Sequence, residues 1–424
     1  MAKNILIIAT LDTKGMETLY MRSVLEALGL TPILMDISMR GGEDSPAQIT
    51  PAQVAAAGGS SMEEIRNSRD RSRITDITIA GASRIAGELY AAGQLDGVIA
   101  IGGSTGSLMA TDVMRTLPFS VPKIMVSSTA ALPGLSTRYI DTGDIVLFHS
   151  VIEIAGLSDI LKNVIDRAAC AMRGMVSDRV TLPRALDRRS IALTMLGPCE
   201  RCARLVRAEL EKAGYQVIGF SAAGICDRAM EEMIGQGFFH GVVDLAPGGV
   251  GEHLFGFMRD AGPERMETAG RMGIPQVIST CSVNHMTPAK SKYLPEYESR
   301  RKYHLDKLRT WIRLSPDELR LVARAFAQKL NKAGGAVRVI VPLRGWSSAD
   351  EPGNETFDPE EDMVFVEELR GLLKPEIELI LLEGNMEDPR FGGALAKSAI
   401  ELFGGAKLSV SDQEGEQACS LSIG

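Results

Sequence analysis

Short runs of aliphatic and β-branched residues recur along the chain. Each is followed by a glycine- or hydroxyl-rich turn, and then by a stretch in which apolar residues return every three or four positions. The runs do not alternate with polar residues, which marks strands covered on both faces of a parallel sheet; the longer stretches carry the period of amphipathic helices. In the first half, Asn4–Ala9, Thr31–Ser38, Gly97–Gly102 and Pro122–Thr129 read as strands. Helices are expected up to about Leu28, closed by Gly29, over Ile77–Ala92, from Ser104 to a stop before Pro118, and over Ile160–Met172. Residues 39–75 are polar and broken by Gly41-Gly42, Pro46, Pro51 and Gly58-Gly59, so they read as a long loop with a short helix. A loop of that length in a compact domain is expected to have a task, such as covering a site.

The charged stretch Ser177–Arg189, with Pro183, reads as a linker, and the pattern then restarts. Strands are expected at Ile191–Leu196, Gln216–Phe220, Gly241–Leu245, Pro275–Ser279, Val337–Val341 and Ile377–Leu382, with helices at 200–213, 227–234, Pro316–Lys332, Pro359–Leu373 and Arg390–Phe403. This alternation predicts an α/β protein of two Rossmann-like, doubly wound parallel-sheet domains with a cleft between them. The expected domains are residues 1–180 and 190–407, followed by a loose tail, 408–424.

Composition narrows the function. The 424 residues carry a formal net charge of −8, and the one block of bases is Arg300-Arg301-Lys302. That argues against a nucleic-acid or anionic-membrane surface, while a local basic pocket for a phosphorylated ligand is compatible with it. No apolar run approaches the roughly 20 residues of a membrane span. The opening run Ile5–Ala9 gives way to Asp12 and Lys14, as a first strand does and a signal peptide does not. Six cysteines, at 170, 199, 202, 226, 281 and 419, are too scattered for a disulfide framework, so the expected compartment is the cytoplasm. Cys199-Glu-Arg-Cys202 has no second ligand pair and no thioredoxin-like context, and is read as two ordinary cysteines.

The richest stretch is Gly97-Val-Ile-Ala-Ile-Gly102-Gly103-Ser104-Thr105-Gly106-Ser107, a buried strand turning through glycines and hydroxyls into a helix. Such a turn presents backbone N–H groups and the positive end of a helix to an anion, and so suits a phosphate. The same glycines also fit a plain tight β–α turn. Other strand ends carry chemistry too: Thr10, Asp12, Thr13 and Lys14 after the first strand, Asp36 after the second, Thr129 after Pro122–Thr129, and Asp141, Thr142 and Asp144 beyond it. Ligands of doubly wound sheets bind at that edge, where an acid placed like Asp36 commonly takes ribose hydroxyls. Each Asp or Ser, taken singly, also fits a helix cap.

Three motifs, Thr10-Leu-Asp12-Thr13-Lys14, Leu95-Asp-Gly-Val-Ile-Ala-Ile-Gly102-Gly103-Ser104 and Ser150-Val-Ile-Glu-Ile-Ala-Gly-Leu157, are joined by Gly345-Trp-Ser347-Ser348-Ala-Asp350-Glu-Pro-Gly353 with Phe357-Asp358-Pro359. With these the chain resembles, over nearly its whole length, the family of the tomato mosaic virus resistance protein. The resemblance implies two Rossmann-like domains with ATP on the N-terminal one. The family loop commonly reads Gly-Gly-Ser-Gly-Gly-Thr, whereas Thr105 and Ser107 stand in this one. In the second half a His-Ala-Thr-Gly pattern has become Ser221-Ala-Ala-Gly224, and a Thr-rich turn has become Ala246-Pro-Gly-Gly249.

The expectation is therefore an ATP-binding protein in which residues 102–107 and Lys14 neutralise phosphates and Asp12, Asp141 or Asp144 meets Mg²⁺. A second, unknown small molecule would face Asp244, Arg228, His285, Arg313, Ser347 and Asp350, with Asp244, His285, Ser347 and Asp350 as candidate catalytic groups. An ATP- and Mg²⁺-dependent enzyme, a nucleotide-gated binding protein and an ATP-independent hydrolase or lyase all fit these residues. A homodimer is expected, with helix stripes such as Leu321, Ala325 and Leu330 serving core or subunit contacts.

Overall fold

The computed structural model describes residues 2–40, 45–177, 189–307 and 309–404. Most of the expected linker and the expected tail 408–424 lie outside the described residues. The chain forms two compact units, Met1–Arg184 and Ala185–Gly424.

The first unit runs β1 (Asn4–Ala9), α1 (Leu11–Ala27), β2 (Thr31–Asp36), α2 (Pro51–Ala57), α3 (Met62–Asn67), α4 (Arg71–Ala91), β3 (Gly97–Gly102), α5 (Ser104–Arg115), β4 (Lys123–Ser127), α6 (Leu135–Ile140), β5 (Ile145–His149) and α7 (Asp159–Met175). Its sheet has the order β2-β1-β3-β4-β5, with every pairing parallel. This is the doubly wound order 2-1-3-4-5, which has its switch point between β1 and β3. The uninterrupted apolar strands follow from burial on both faces. Ile5 and Ile7 pack with Met21 and Leu25 of α1 and with Leu161 and Ile165 of α7. Leu6 and Ile8 pack on the other face with Ala82 and Ala86 of α4 and with Met109 and Val113 of α5.

The stretch read as a loop, 39–75, instead holds two complete helices and the start of a third, because each has its own start signal. Thr50 accepts from Gln53 N in a capping box with Pro51 at the first turn, Ser61 accepts from Glu64 N, and Asp70 accepts from Arg73 N. Side-chain capping, more than hydrophobic period, forms these helices.

The second unit runs β6 (Ser190–Met195), α8 (Glu200–Lys212), β7 (Gln216–Ser221), α9 (Ile225–Gly235), β8 (Gly241–Asp244), α10 (Gly249–Phe255), α11 (Thr268–Arg271), β9 (Gln276–Ile278), β10 (His285–Met286), β11 (Lys302–His304), β12 (Thr310–Arg313), α12 (Pro316–Leu330), β13 (Val337–Pro342), α13 (Pro359–Leu372), β14 (Glu378–Leu382) and α14 (Pro389–Gly404). Its parallel sheet has the order β14-β13-β9-β8-β6-β7, so its switch point falls between β6 and β8. A small antiparallel sheet, β10-β12-β11, was not legible in the hydrophobic pattern, because its strands are too short to show a period. The basic block is spent inside this unit: Arg300 pairs with Glu318, Arg301 with Asp358 and Glu361, and Lys302 with Glu298.

A fully buried Arg265 ties the unit together. Its guanidinium reaches Asp244 at the end of β8 (2.6 Å) and Asp227 and Glu231 on α9 (3.4 and 3.5 Å). Removing one partner of a buried ion pair leaves uncompensated charge, which costs about 3–5 kcal/mol. Arg265→Met is therefore expected to destabilise this unit by about that amount. Urea denaturation followed by tryptophan fluorescence checks it directly, since both tryptophans, Trp311 and Trp346, lie in this unit.

Candidate functional site

At the β1/β3 switch point the two strands send their helices to opposite faces, and a crevice opens at their carboxyl ends. It is a pocket of about 440 Å³ lined by Thr10, Asp12, Thr13 and Lys14 from the first loop and by Gly103, Ser104, Thr105 and Gly106 from the second. Met39, Arg40, Ile65, Arg66, Ser68, Arg71 and Ile74 complete the wall. The segment 39–75, expected to cover a site, supplies this wall.

The glycine turn is built to leave its amides open. Gly103 precedes α5 with no side-chain cap, and Ser107 N turns back to Gly103 O (2.8 Å). A Cβ added at Gly103 would meet only Ser128 Oγ at 3.9 Å, so the smallness of this residue is not demanded by packing. Thr105, where the family pattern has glycine, is exposed at the lip and does not enter the core. Beneath the loop runs a chain of hydroxyls: Ser107 Oγ donates to Ser127 Oγ (2.7 Å), Ser127 Oγ meets Thr129 Oγ1 (3.1 Å), and Thr129 Oγ1 meets Tyr139 OH (2.8 Å). Ser107 and Thr129 therefore support the loop from below and do not line the pocket.

The first loop is anchored differently. Thr13 N and Lys14 N both donate to Thr10 O, and Lys14 departs from helical geometry (φ −129°, ψ 26°), so the chain turns once before α1 proper begins. Asp12 is no helix cap: its side chain is exposed in the pocket and its amide donates to Ser38 Oγ (3.2 Å). Lys14 Nζ donates to Ile154 O (2.5 Å) and lies 3.7 Å from Glu153, while Glu17 accepts from Gly156 N (2.7 Å). Two of the recognised motifs, Thr10–Lys14 and Ser150–Leu157, thus meet in space.

Asp36 does not face a ribose. It is buried, and its two oxygens accept from Leu11 N, Ser38 N, Ser38 Oγ and Ser45 Oγ, which occupies the capacity of a carboxylate. It holds the first loop in place. Asp141, Thr142 and Asp144 also lie elsewhere, because they precede β5 at the amino edge of the sheet, opposite the glycine turn. Asp144 there pairs with the buried Lys123 (2.6 Å) and accepts from Ser120 N (2.8 Å), which takes it out of any magnesium site in the pocket.

The side chains that sequence reading missed are Arg40, Arg66 and Arg71. They are spaced too far apart to form a basic run, and the fold gathers them. With Lys14, whose ammonium also lies 3.7 Å from Glu153, they put four cations in a lining whose one acid among the described residues is Asp12.

In the second unit, Asp244 is bound by Arg265 and by Thr194 Oγ1 (2.7 Å), and the Ser347 hydroxyl accepts from Ala349 N (3.2 Å). Both are structural anchors. Arg313 is held by Asp362 (2.6 Å) and Glu361 (2.5 Å). His285 and Asp350 are brought together, Nε2 to Oδ1 3.7 Å, and Asn284 Nδ2 bridges Asp350 (2.6 Å) and Asp362 (2.9 Å). The other four histidines each have a partner: His149 at Ser127 O, His240 at Ser190 N, His253 at Asp260 and His304 at Thr310. Cys199 and Cys202 are buried, and burial raises the Cys202 thiol well above its ordinary pKa, as expected of unreactive cysteines.

Two family models cover the chain almost end to end: the N-terminal domain of the uncharacterised protein family UPF0261 over residues 3–181, and its C-terminal domain over residues 188–403. The chain belongs to the UPF0261 family. A UPF0261 protein of Clostridium tetani is 30% identical over 405 residues, covering 95% of this chain and 100% of its own length. One of Brucella melitensis is 33% identical over 401 residues, 94% of each chain. The ToMV resistance protein Tm-1(GCR237) of Solanum lycopersicum is 31% identical over 316 residues, 73% of this chain and 42% of that protein. No helix among the described residues is long and apolar enough to cross a membrane.

The buried acids of the second unit give this family member a pH signature. Burial, with Asp362 nearby, pushes Asp350 up to about 7 against the opposing pull of Asn284 and Arg313, and burial raises Asp362 to about 6. Both groups bind a proton more tightly folded than unfolded, so the unit is expected to gain stability as pH falls from about 7 towards about 4 and to lose it on the way back up. Asp350→Asn should flatten that slope in tryptophan-monitored urea titrations across the window.

Proposed function

We propose that this UPF0261 protein binds ATP with Mg²⁺ at the switch-point pocket of its first unit. The observation that carries the reading is the uncapped N-terminus of α5 in one pocket with Lys14, Arg40, Arg66 and Arg71, a surface suited to a polyphosphate. Phosphates would lie against 103–106, with Lys14 and Arg71 as point charges. Asp12 would take one position on a magnesium ion otherwise held by phosphate oxygens and water, the usual manner for that metal. Met39, Ile65 and Ile74 offer apolar contact to the base. The volume falls within the range of small-molecule sites, about 300–1,000 Å³.

In this reading the protein is an ATP-dependent enzyme acting on a small metabolite, working in the cytoplasm as a homodimer. A nucleotide-gated binding protein is the competing form, and multiple-turnover ATP hydrolysis in the presence of metabolite panels separates the two. Gly103→Val is expected to abolish ATP binding in calorimetry while leaving the unfolding curve close to wild type, because the added side chain meets pocket and not core. Arg71→Ala should weaken ATP about tenfold, the loss of one charge-assisted contact, and adenosine hardly at all. Unchanged ATP affinity in both variants places the nucleotide elsewhere.

A further inference from the structure

The segments beyond the carboxyl ends of β9 and β13, with the turn after α10, carry polar atoms that nothing satisfies. Among the described residues, Arg259 Nη1, Thr280 Oγ1, Ser282 Oγ, Asn284 Oδ1, Asp350 Oδ1 and both ring nitrogens of His285 are buried and make no hydrogen bond. All six residues are 5% exposed or less. Each unmet buried atom costs about 1–3 kcal/mol, so a set of this size calls for a polar occupant.

Backbone strain falls in the same place. Ser282 sits at φ +60°, in the left-handed region, and packs against Gly248, where a Cβ would come within 2.3 Å of the Ser282 hydroxyl. Strain of this kind persists where the surroundings force it, and it clusters at binding sites.

The chemistry of the occupant follows from the donors. Arg259 is fixed on three sides: Nε donates to Thr287 Oγ1 (3.0 Å), Nη2 to Glu252 Oε1 (2.7 Å), and the guanidinium lies over Trp311 (4.9 Å to the ring centre). Only Nη1 is free to meet something else. The His285 ring lies against the same indole, 5.1 Å between centres. Burial, and then the charges of Arg313, Arg259 and Arg301, hold His285 well below its ordinary pKa, so the ring is neutral, and the unmet donors of the centre are Arg259 Nη1 and the Thr280 and Ser282 hydroxyls. Asp350 Oδ1 stands 3.7 Å from both His285 Nε2 and Arg313 Nη1, too far for a direct hydrogen bond to either.

We propose that this centre binds a small carboxylic acid, its carboxylate held by Arg259 Nη1 and the Thr280 and Ser282 hydroxyls, with His285 and Asp350 facing the rest of the molecule. Every residue of the site belongs to the second unit. His285 and Asp350 are there a neutral base and a carboxyl able to exchange a proton with the bound acid.

The full chain, without nucleotide, is titrated calorimetrically with acetate, pyruvate, L-lactate and malonate at millimolar concentration. At least one is expected to bind one to one and to raise the melting temperature followed by Trp311 and Trp346. Ser282→Gly is the decisive variant: glycine accepts the positive φ, so the fold is kept, while the lost hydroxyl should weaken binding about tenfold. Arg259→Lys should weaken it further. Failure of all four acids to bind, or equal affinity in wild type and Ser282→Gly, overturns the proposal.

Discussion

The first unit depends on one topological constraint. Neighbouring parallel strands β1 and β3 hand the chain to helices on opposite faces, α1 on one and α5 on the other. No helix can then cover the gap between their carboxyl ends, and backbone N–H groups of two loops are left facing the same space. Everything else at the site adapts to that opening. Asp36 satisfies the amide of Leu11 and fixes the β1 loop, the Ser107–Ser127–Thr129–Tyr139 hydroxyls hold up the β3 loop, and α3 and α4 bring arginines over the mouth.

This explains what the sequence could reveal and what it could not. Every strand of the two parallel sheets except β5 was legible because burial on two faces forces long apolar runs, and the glycine turn was legible because it follows such a run; β5, a partly exposed edge strand, carries no such run. The role of Asp36 was misjudged because an acid at the end of β2 looks the same whether it meets a ribose or its own neighbouring amides; only the four donors around it decide. Asp141 and Asp144 were misplaced because the short helix α6 carries the chain back across the sheet before them, and six residues are too few to show a helical period. Arg40, Arg66 and Arg71 were invisible as a set, since their convergence is a property of helices that side-chain caps create.

The second unit makes a different trade. It buries Arg259, Arg265 and Arg313 with more carboxylates than these can neutralise, an arrangement costly in desolvation and weak as a source of stability. Part of that network is plainly structural: Arg265 and Asp244 join α9 to the end of β8. The part around His285 and Asp350 is left with unmet atoms beside a strained Ser282. The histidine that sequence reading preferred is in that cluster, while the arginine that completes it, Arg259, stands alone in the sequence without any motif to mark it.

The central claim is that the β1/β3 opening holds the phosphates of a nucleotide. Amide hydrogen exchange of the full chain, with and without Mg²⁺-ATP, tests it at the backbone groups concerned. The expected result is slowed exchange at Ser104, Thr105 and Gly106 and through Asp12–Lys14. Slowing confined to other segments, or ATP binding that leaves these amides exchanging as before, would contradict the account.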